Sequence, residues 1–239
     1  MQFVLVHGGW QGGWCWDAVA AHLRAGGHDV FAPTLLGSEE GAASRDGVTL
    51  NTIGDALVRA IGRQGLGDFV LVGHSGGGPV VQYVADRLRE ETRRIVFVDA
   101  WVLRDGEAIH DVLPRHFVAA DHAAAARHPD RTIPIDHEVW KAHFMNGATD
   151  AQFAAVMDRL VPVPLGWVAE PISLPRFWET PPPAGYIFLR DDQGVPRALF
   201  QEMAGRLANP RVLECDGPHE AMLTHPEALA DTLVVAAKD

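Results

Sequence analysis

Phe69-Val70-Leu71-Val72-Gly73-His74-Ser75-Gly76-Gly77 runs from four apolar residues into a serine flanked by glycines, and residues 79–88 after it carry an amphipathic helical pattern. The apolar run reads as a buried strand and the glycines as a sharp turn into the helix. A serine on such a turn is held out above the end of a sheet, because glycines on either side remove the Cβ clashes that the tight backbone would create. The helix N-terminus behind it favours developing negative charge. Gly-x-Ser-x-Gly alone recurs by chance in a chain with 24 glycines. Between a strand and a helix it reads as a nucleophile turn rather than the close of an ordinary βα unit.

Outward from this turn the same grammar repeats. Residues 3–6 form a short apolar run ending at His7-Gly8-Gly9, and residues 30–32 a second before Pro33. Residues 95–98, 186–189 and 212–214 supply three more, giving six strands in all. Helical spacing separates them at residues 16–24, 50–61, 79–88, 197–207 and 226–237. Strands without polar alternation, interleaved with amphipathic helices, predict an α/β class protein with a mostly parallel sheet covered on both faces. Residues 104–183 show no clear strand. There Asp136 caps a helix through Met145, Thr149-Asp150-Ala151-Gln152 forms a capping box, and a proline-rich tract follows. The expected organisation is a core of residues 1–103 and 184–239 with a helical cap, residues 104–183, inserted before the fifth strand.

The chain has 239 residues, 47% of them hydrophobic, enough to bury a sizeable core in one domain. No apolar run reaches the length of a membrane span, and no signal-peptide pattern precedes Gln2-Phe3-Val4-Leu5-Val6, so the expected location is cytoplasmic. The net charge of −11 argues against a nucleic-acid partner and points to neutral or apolar ligands. Cys15 and Cys215 form no Cys-x-x-Cys pair, so neither a disulfide framework nor a zinc knuckle is expected. Among the cap histidines only His137 and His143 share an obvious helix, and a separation of six puts them off a common face. No metal and no cofactor are expected.

A serine needs a base to take its proton. His219 lies just past the sixth strand and before the last helix, where a base would reach the end of the sheet. His225, at the start of that helix, suits a capping role. The imidazole in turn needs a carboxylate to orient it, and Asp191 and Asp192 both follow the fifth strand. Spacing does not choose between them. An oxyanion would draw one N–H from Gly76 and a second from the His7-Gly8-Gly9-Trp10 turn, on Gly9 or Trp10. An acid limb in activity would fall in the ordinary histidine range.

His7-Gly-Gly-Trp-Gln-Gly-Gly-Trp-Cys-Trp16, Gly73-His-Ser-Gly-Gly77, Asp192 four residues before Pro196, and Pro218-His219-Glu-Ala-Met-Leu223 together resemble the methylesterase and hydroxynitrile-lyase branch of the α/β-hydrolases. The resemblance runs from the first strand to the last helix and is weakest in the cap. It implies the α/β-hydrolase fold, a cofactor-free serine mechanism, Asp192 as the acid and Gly9 as the first oxyanion donor. The lyases resemble this pattern but carry a threonine after the first histidine and a lysine after the catalytic one. Here Gly8 and Glu220 stand in those places. The expectation is therefore a serine hydrolase acting on a small hydrophobic, aromatic or medium-sized ester or lactone. A carbon–carbon lyase on the same triad and a non-catalytic ligand receptor are the alternatives. Of the large apolar residues around the cap, Trp101, Trp140, Phe144 and Trp167 are the candidates for a substrate pocket over Ser75. The expected partner is the small-molecule ester alone, with no membrane, and a homodimer is allowed.

Overall fold

The computed structural model describes residues 1–238. In chain order the elements are β1 (Gln2–Val6), α1 (Asp17–Ala25), β2 (Asp29–Phe31), α2 (Leu50–Gln64), β3 (Phe69–His74), α3 (Gly77–Arg87) and β4 (Thr92–Val98). There follow α4 (Ile109–Val112), α5 (Arg115–Ala125), β5 (Thr132–Ile133), α6 (His137–His143), α7 (Asp150–Ala154), β6 (Val163–Pro164) and α8 (Leu165–Ala169). The chain closes with β7 (Ala184–Leu189), α9 (Arg197–Gly205), β8 (Arg211–Cys215), α10 (Ala221–Thr224) and α11 (Pro226–Ala236).

Six strands form one parallel sheet in the order β2-β1-β3-β4-β7-β8. The period-two rule of a strand sorts their side chains cleanly. Val4, Val6, Phe69, Leu71, Ile95, Phe97, Tyr186 and Phe188 enter one core, shared with α2, α3 and α9. Phe3, Leu5, Val70, Val72, Val96, Val98, Ile187 and Leu189 enter the other, against α1 and α11. Both faces are covered, which is why these strands carry no polar alternation.

The expectation of no strand within residues 104–183 is corrected in one detail. Thr132–Ile133 and Val163–Pro164 pair antiparallel as two-residue strands. Segments that short carry no readable periodicity, and they pair because the loops around them are held by other contacts. The other regular elements of this stretch are helices, joined by loops that include all of residues 170–183, and Asp136 and Thr149 do cap α6 and α7. Cys15 and Cys215 are both buried and unpaired. Among the described residues no helix is long and apolar enough to cross a membrane.

The chain leaves β1 for β2 on one side and returns to β3 on the other, so β1 and β3 flank a switch in winding direction. In an open parallel sheet the crevice at the carboxyl ends of such strands is where ligands bind. The turns that open there are His7-Gly8-Gly9 and Ser75-Gly76. They are pressed together: a Cβ on Gly77 would stand 2.6 Å from the His7 carbonyl oxygen and 2.8 Å from that of Val6. Gly77→Ala therefore sets the ~1 kcal/mol that alanine gains over glycine in a helix against overpacking on rigid backbone, roughly 1–3 kcal/mol or more. The expected outcome is a net loss, read as a lower urea midpoint with an unchanged slope. A midpoint equal to or above that of the parent chain would contradict this packing.

Candidate active site

Ser75 sits between β3 and α3 with φ 51°, in the left-handed region that a side-chain-bearing residue enters at a cost of roughly 1–3 kcal/mol. The surroundings hold it there. Its N–H donates to the Val98 carbonyl at 3.2 Å, and its carbonyl accepts from Gly78 N–H at 3.1 Å and Trp101 N–H at 3.2 Å. A Cβ on Gly73 would meet Val81 Cγ2 at 2.6 Å, so the strand can turn this sharply into α3 only without one. The hydroxyl is half-buried and has no hydrogen-bond partner among the described residues, so it is free to rotate.

His219 follows β8 and is 1% exposed. Its ring lies between Phe144 (centroids 5.2 Å apart), Phe200 (stacked at 6.0 Å) and His74 (4.5 Å). Asp192 Oδ2 accepts from His219 Nδ1 at 2.6 Å, while Asp192 Oδ1 accepts from Gly194 N–H at 2.7 Å and Val195 N–H at 3.2 Å. Since a carboxylate with three donors can only accept, Nδ1 carries the hydrogen and Nε2 keeps its lone pair. Asp191 is tied elsewhere: it accepts from Gly217 N–H at 3.0 Å and donates its own N–H back to the Gly217 carbonyl at 3.0 Å. The neighbouring aspartates thus divide the work, one on the histidine and one on the loop that carries it.

The first turn is equally constrained. His7 Nε2 accepts from Leu35 N–H at 3.0 Å, which leaves Nδ1 protonated and bonded to the Gly8 carbonyl at 2.7 Å. Burial lowers the His7 pKa to about 4, so the ring stays neutral and the turn stays clamped. Gly9 N lies 3.7 Å from where a Cβ on Gly76 would stand, bringing the two expected oxyanion donors to one place. Trp10, at φ 62°, is held through Nε1 to the Ile133 carbonyl (3.0 Å) and through its own carbonyl to Val161 N–H (2.9 Å). Trp167 Nε1 donates to the Gly76 carbonyl at 3.1 Å.

Three further carboxyl and imidazole groups surround His219, and of these only Glu220 is singled out by the sequence, as the residue that follows the base. Asp99, just past β4, is 2% exposed with φ 34°; Leu189 N–H donates to its Oδ2 at 3.0 Å. Burial and the adjacent Asp192 charge push the Asp99 pKa well above the carboxylate range, and its Oδ1 is buried with no hydrogen-bond partner among the described residues. Glu220 is 2% exposed and accepts a short hydrogen bond from Gln11 Nε2; burial raises its pKa to about 7. His74 is fully buried and burial keeps it neutral. Burial also lowers the His219 pKa, but the Asp192 charge and hydrogen bond, with Glu220 and Asp99 behind them, outweigh that and raise it to about 9. Burial pulls Asp192 upward, and the His219 charge with the three donors overcomes it, so Asp192 stays below its ordinary value. Two donor sets lie close enough to hold an ion, His74/His219/Glu220 and Asp99/Asp192/His219. Both draw on His219, whose Nδ1 is committed to Asp192, and Glu220 is committed to Gln11, while both His74 nitrogens and Asp99 Oδ1 have no hydrogen-bond partner among the described residues.

Ser75, Gly9, Gly76 and Trp10 open onto a cavity of about 150 Å³ walled by Trp101, Phe144, Val163, Trp167, Val195 and Leu199, among others. Of the four aromatic residues expected there, Trp101, Phe144 and Trp167 line it. Trp140 does not: it is fully buried in a separate cluster with Met145, Phe153 and Val156. A cap aromatic must pack somewhere, and α6 turns this one inward. Asp121 and Phe117 on α5 line the cavity unforeseen. The signal for Asp99, an acid closing an all-apolar strand, was present; nothing marked Asp121.

A model of the alpha/beta hydrolase family matches residues 3–232. A carbendazim-hydrolyzing esterase of Nocardioides sp. (strain SG-4G) is 33% identical over 97% of both chains. Methylesterase 7 of Arabidopsis thaliana is 28% identical over 99% of this chain and 96% of its own. Another plant methylesterase is longer, and this chain spans 53% of it. Among solved structures, an extracellular alpha/beta-hydrolase from a Paenibacillus species superposes with a TM-score of 0.93 at 30% identity over 100% of both chains. It is described as sharing structural and functional homology with tobacco salicylic acid binding protein 2.

Two outcomes test this electrostatic arrangement. A base must be neutral to accept a proton, so a raised His219 pKa moves the acid limb of kcat/KM upward. The limb is expected above pH 7 and toward 9, correcting the ordinary histidine range expected from sequence. Glu220→Gln removes one of the charges that raise it and should shift the limb to lower pH. A limb at or below 6.5, or one unmoved by Glu220→Gln, would contradict the cluster. Asp192→Asn should lower kcat by about 10⁴ through loss of the imidazole's tautomer and support, and Asp191→Asn far less. Equal losses in side-by-side rates would reverse the division of labour.

Proposed function

Because this chain belongs to the alpha/beta hydrolase family, in its methylesterase-like branch, we propose that it hydrolyses small hydrophobic esters or lactones through an acyl-enzyme on Ser75. It is a carboxylic-ester hydrolase. The observation that carries the reading is the 2.6 Å His219–Asp192 bond at the same end of the sheet as the strained Ser75 turn.

In this reading Ser75 Oγ attacks the ester carbonyl carbon while His219 Nε2 takes its proton. The carbonyl electrons move onto oxygen, where the Gly9 and Gly76 N–H groups receive the negative charge. His219 then returns the proton to the departing alcohol as the carbon–oxygen bond breaks. A water attacks the acyl-enzyme with His219 again as base, releasing the acid and restoring Ser75. Asp192 holds the imidazole in the needed tautomer throughout and supports its positive form. A cavity of about 150 Å³ accepts one aromatic ring, which favours a compact acyl or alcohol group. We read residues 104–183 as a cap closing that cavity, with residues 1–103 and 184–239 as the core, because Phe117, Phe144, Val163 and Trp167 all enter its wall from the insertion.

The lyase alternative loses ground at two positions. A Cβ on Gly8 would stand 2.9 Å from Ser75 Cβ and 3.0 Å from His74 Nδ1, leaving no room for a hydroxyl-bearing residue beside the nucleophile. Glu220 is buried beside His219 rather than facing solvent, and its ionised form opposes a departing anion. Ser75→Ala should lower turnover of p-nitrophenyl acetate by about 10⁴–10⁶ with the fold intact by circular dichroism. The parent chain should turn over that ester well above mandelonitrile. A Ser75→Ala protein retaining a tenth of the activity, or mandelonitrile as the better substrate, would sink the reading.

A further inference from the structure

The wall of the cavity over Ser75 is apolar except for one charged side chain, Asp121. It lies one turn beyond Phe117 on α5, and the two face the cavity together at a four-residue spacing. Its position is held: His110 Nε2 lies 3.1 Å from Asp121 Oδ2, with side chains 7% and 25% exposed. The carboxylate can only accept, so His110 Nε2 donates, and its Nδ1 is left buried with no partner. Oδ1 of Asp121 accepts no hydrogen bond from any described residue.

A carboxylate in an apolar wall is costly unless something donates to it. Here one oxygen is served by a buried histidine whose own other nitrogen has been left unpaired to do so. Asp121 lines the same cavity as Ser75, and its second oxygen is the one left without a donor. A substrate offering an N–H to that oxygen completes the pair, and one offering only carbon or an ether oxygen leaves it desolvated and unpaired. An anionic group is repelled.

Resting on the esterase reading above, we propose that Asp121 sets substrate choice: the preferred substrates are esters whose aromatic part carries an N–H donor. Hydrogen bonds to a charged group change binding by about one to two powers of ten, so discrimination of that order is expected from a carboxylate one quarter exposed.

The test compares methyl indole-carboxylates with the benzofuran-carboxylates of the same substitution pattern, which replace the ring N–H by oxygen at nearly constant shape. The ratio of kcat/KM values, taken over the 2-, 3- and 5-carboxylates, should favour indole by tenfold or more for at least one pattern. Asp121→Leu should bring that ratio to about one. Asp121→Asn, which keeps an acceptor and the side-chain shape, should give an intermediate ratio and serves if the leucine variant does not fold. A ratio near one in the parent chain, or a ratio that survives both substitutions, overturns the proposal. Loss of p-nitrophenyl acetate hydrolysis from the parent chain itself would instead overturn the esterase reading beneath it.

Discussion

A methyl group added at Gly77 would stand 2.6 Å from the His7 carbonyl oxygen, and one at Gly8 would stand 2.9 Å from Ser75 Cβ. This closeness of three backbone segments, the exits of β1 and β3 and the start of α3, is the constraint from which the rest of the site follows. It forces Ser75 into the left-handed region, because the chain has no other way to turn from β3 into α3 in the space left. It also brings Gly9 N to within 3.7 Å of where a Cβ on Gly76 would stand, so that two turns from strands distant in sequence meet beside Ser75. The fold supports the strain from outside: His7 clamps Gly8, Trp167 clamps Gly76, and Trp10 is fixed to the segments around β5 and β6.

Around His219 the same crowding becomes electrostatic. Three carboxyl groups approach one imidazole, and they cannot all ionise in a buried place. Burial and neighbouring charge, together with the donors each receives, decide which does. Asp192 receives His219 Nδ1 and the N–H groups of Gly194 and Val195, so it holds the charge. Asp99 receives only Leu189 N–H, so it keeps a proton. Glu220, bonded to Gln11, sits between these extremes. The arrangement raises the His219 pKa to about 9, and in the proposed mechanism this moves the acid limb toward alkaline pH.

Much of this was legible from the chain because it rests on local rules. Unbroken apolar strands predict a sheet covered on both faces, and the two cores sort the strand residues accordingly. The serine turn and the histidine after the last strand are set by chain order. What escaped depends on neighbours far apart in sequence. Spacing does not separate Asp191 from Asp192, which only the resemblance assigned; in the structure the loop folds back on Gly217 to place one on that loop and the other on His219. Trp140 is the same residue type as Trp167, and only the packing of α6 buries it away from the cavity. Glu220 follows the base in sequence, but its side chain's hydrogen-bond partner is Gln11, more than two hundred residues away. Asp121 has meaning only once α5 faces Ser75.

The central claim is that Ser75 becomes covalently acylated with His219 as its base. The most direct measurement is mass spectrometry of the protein quenched during turnover of p-nitrophenyl acetate, followed by peptide mapping. The account predicts one acetyl group per chain on the peptide carrying Ser75, formed far more slowly in His219→Ala. An acetyl group on another residue, or steady turnover with no acylated chain under conditions where acylation outruns release, would contradict it.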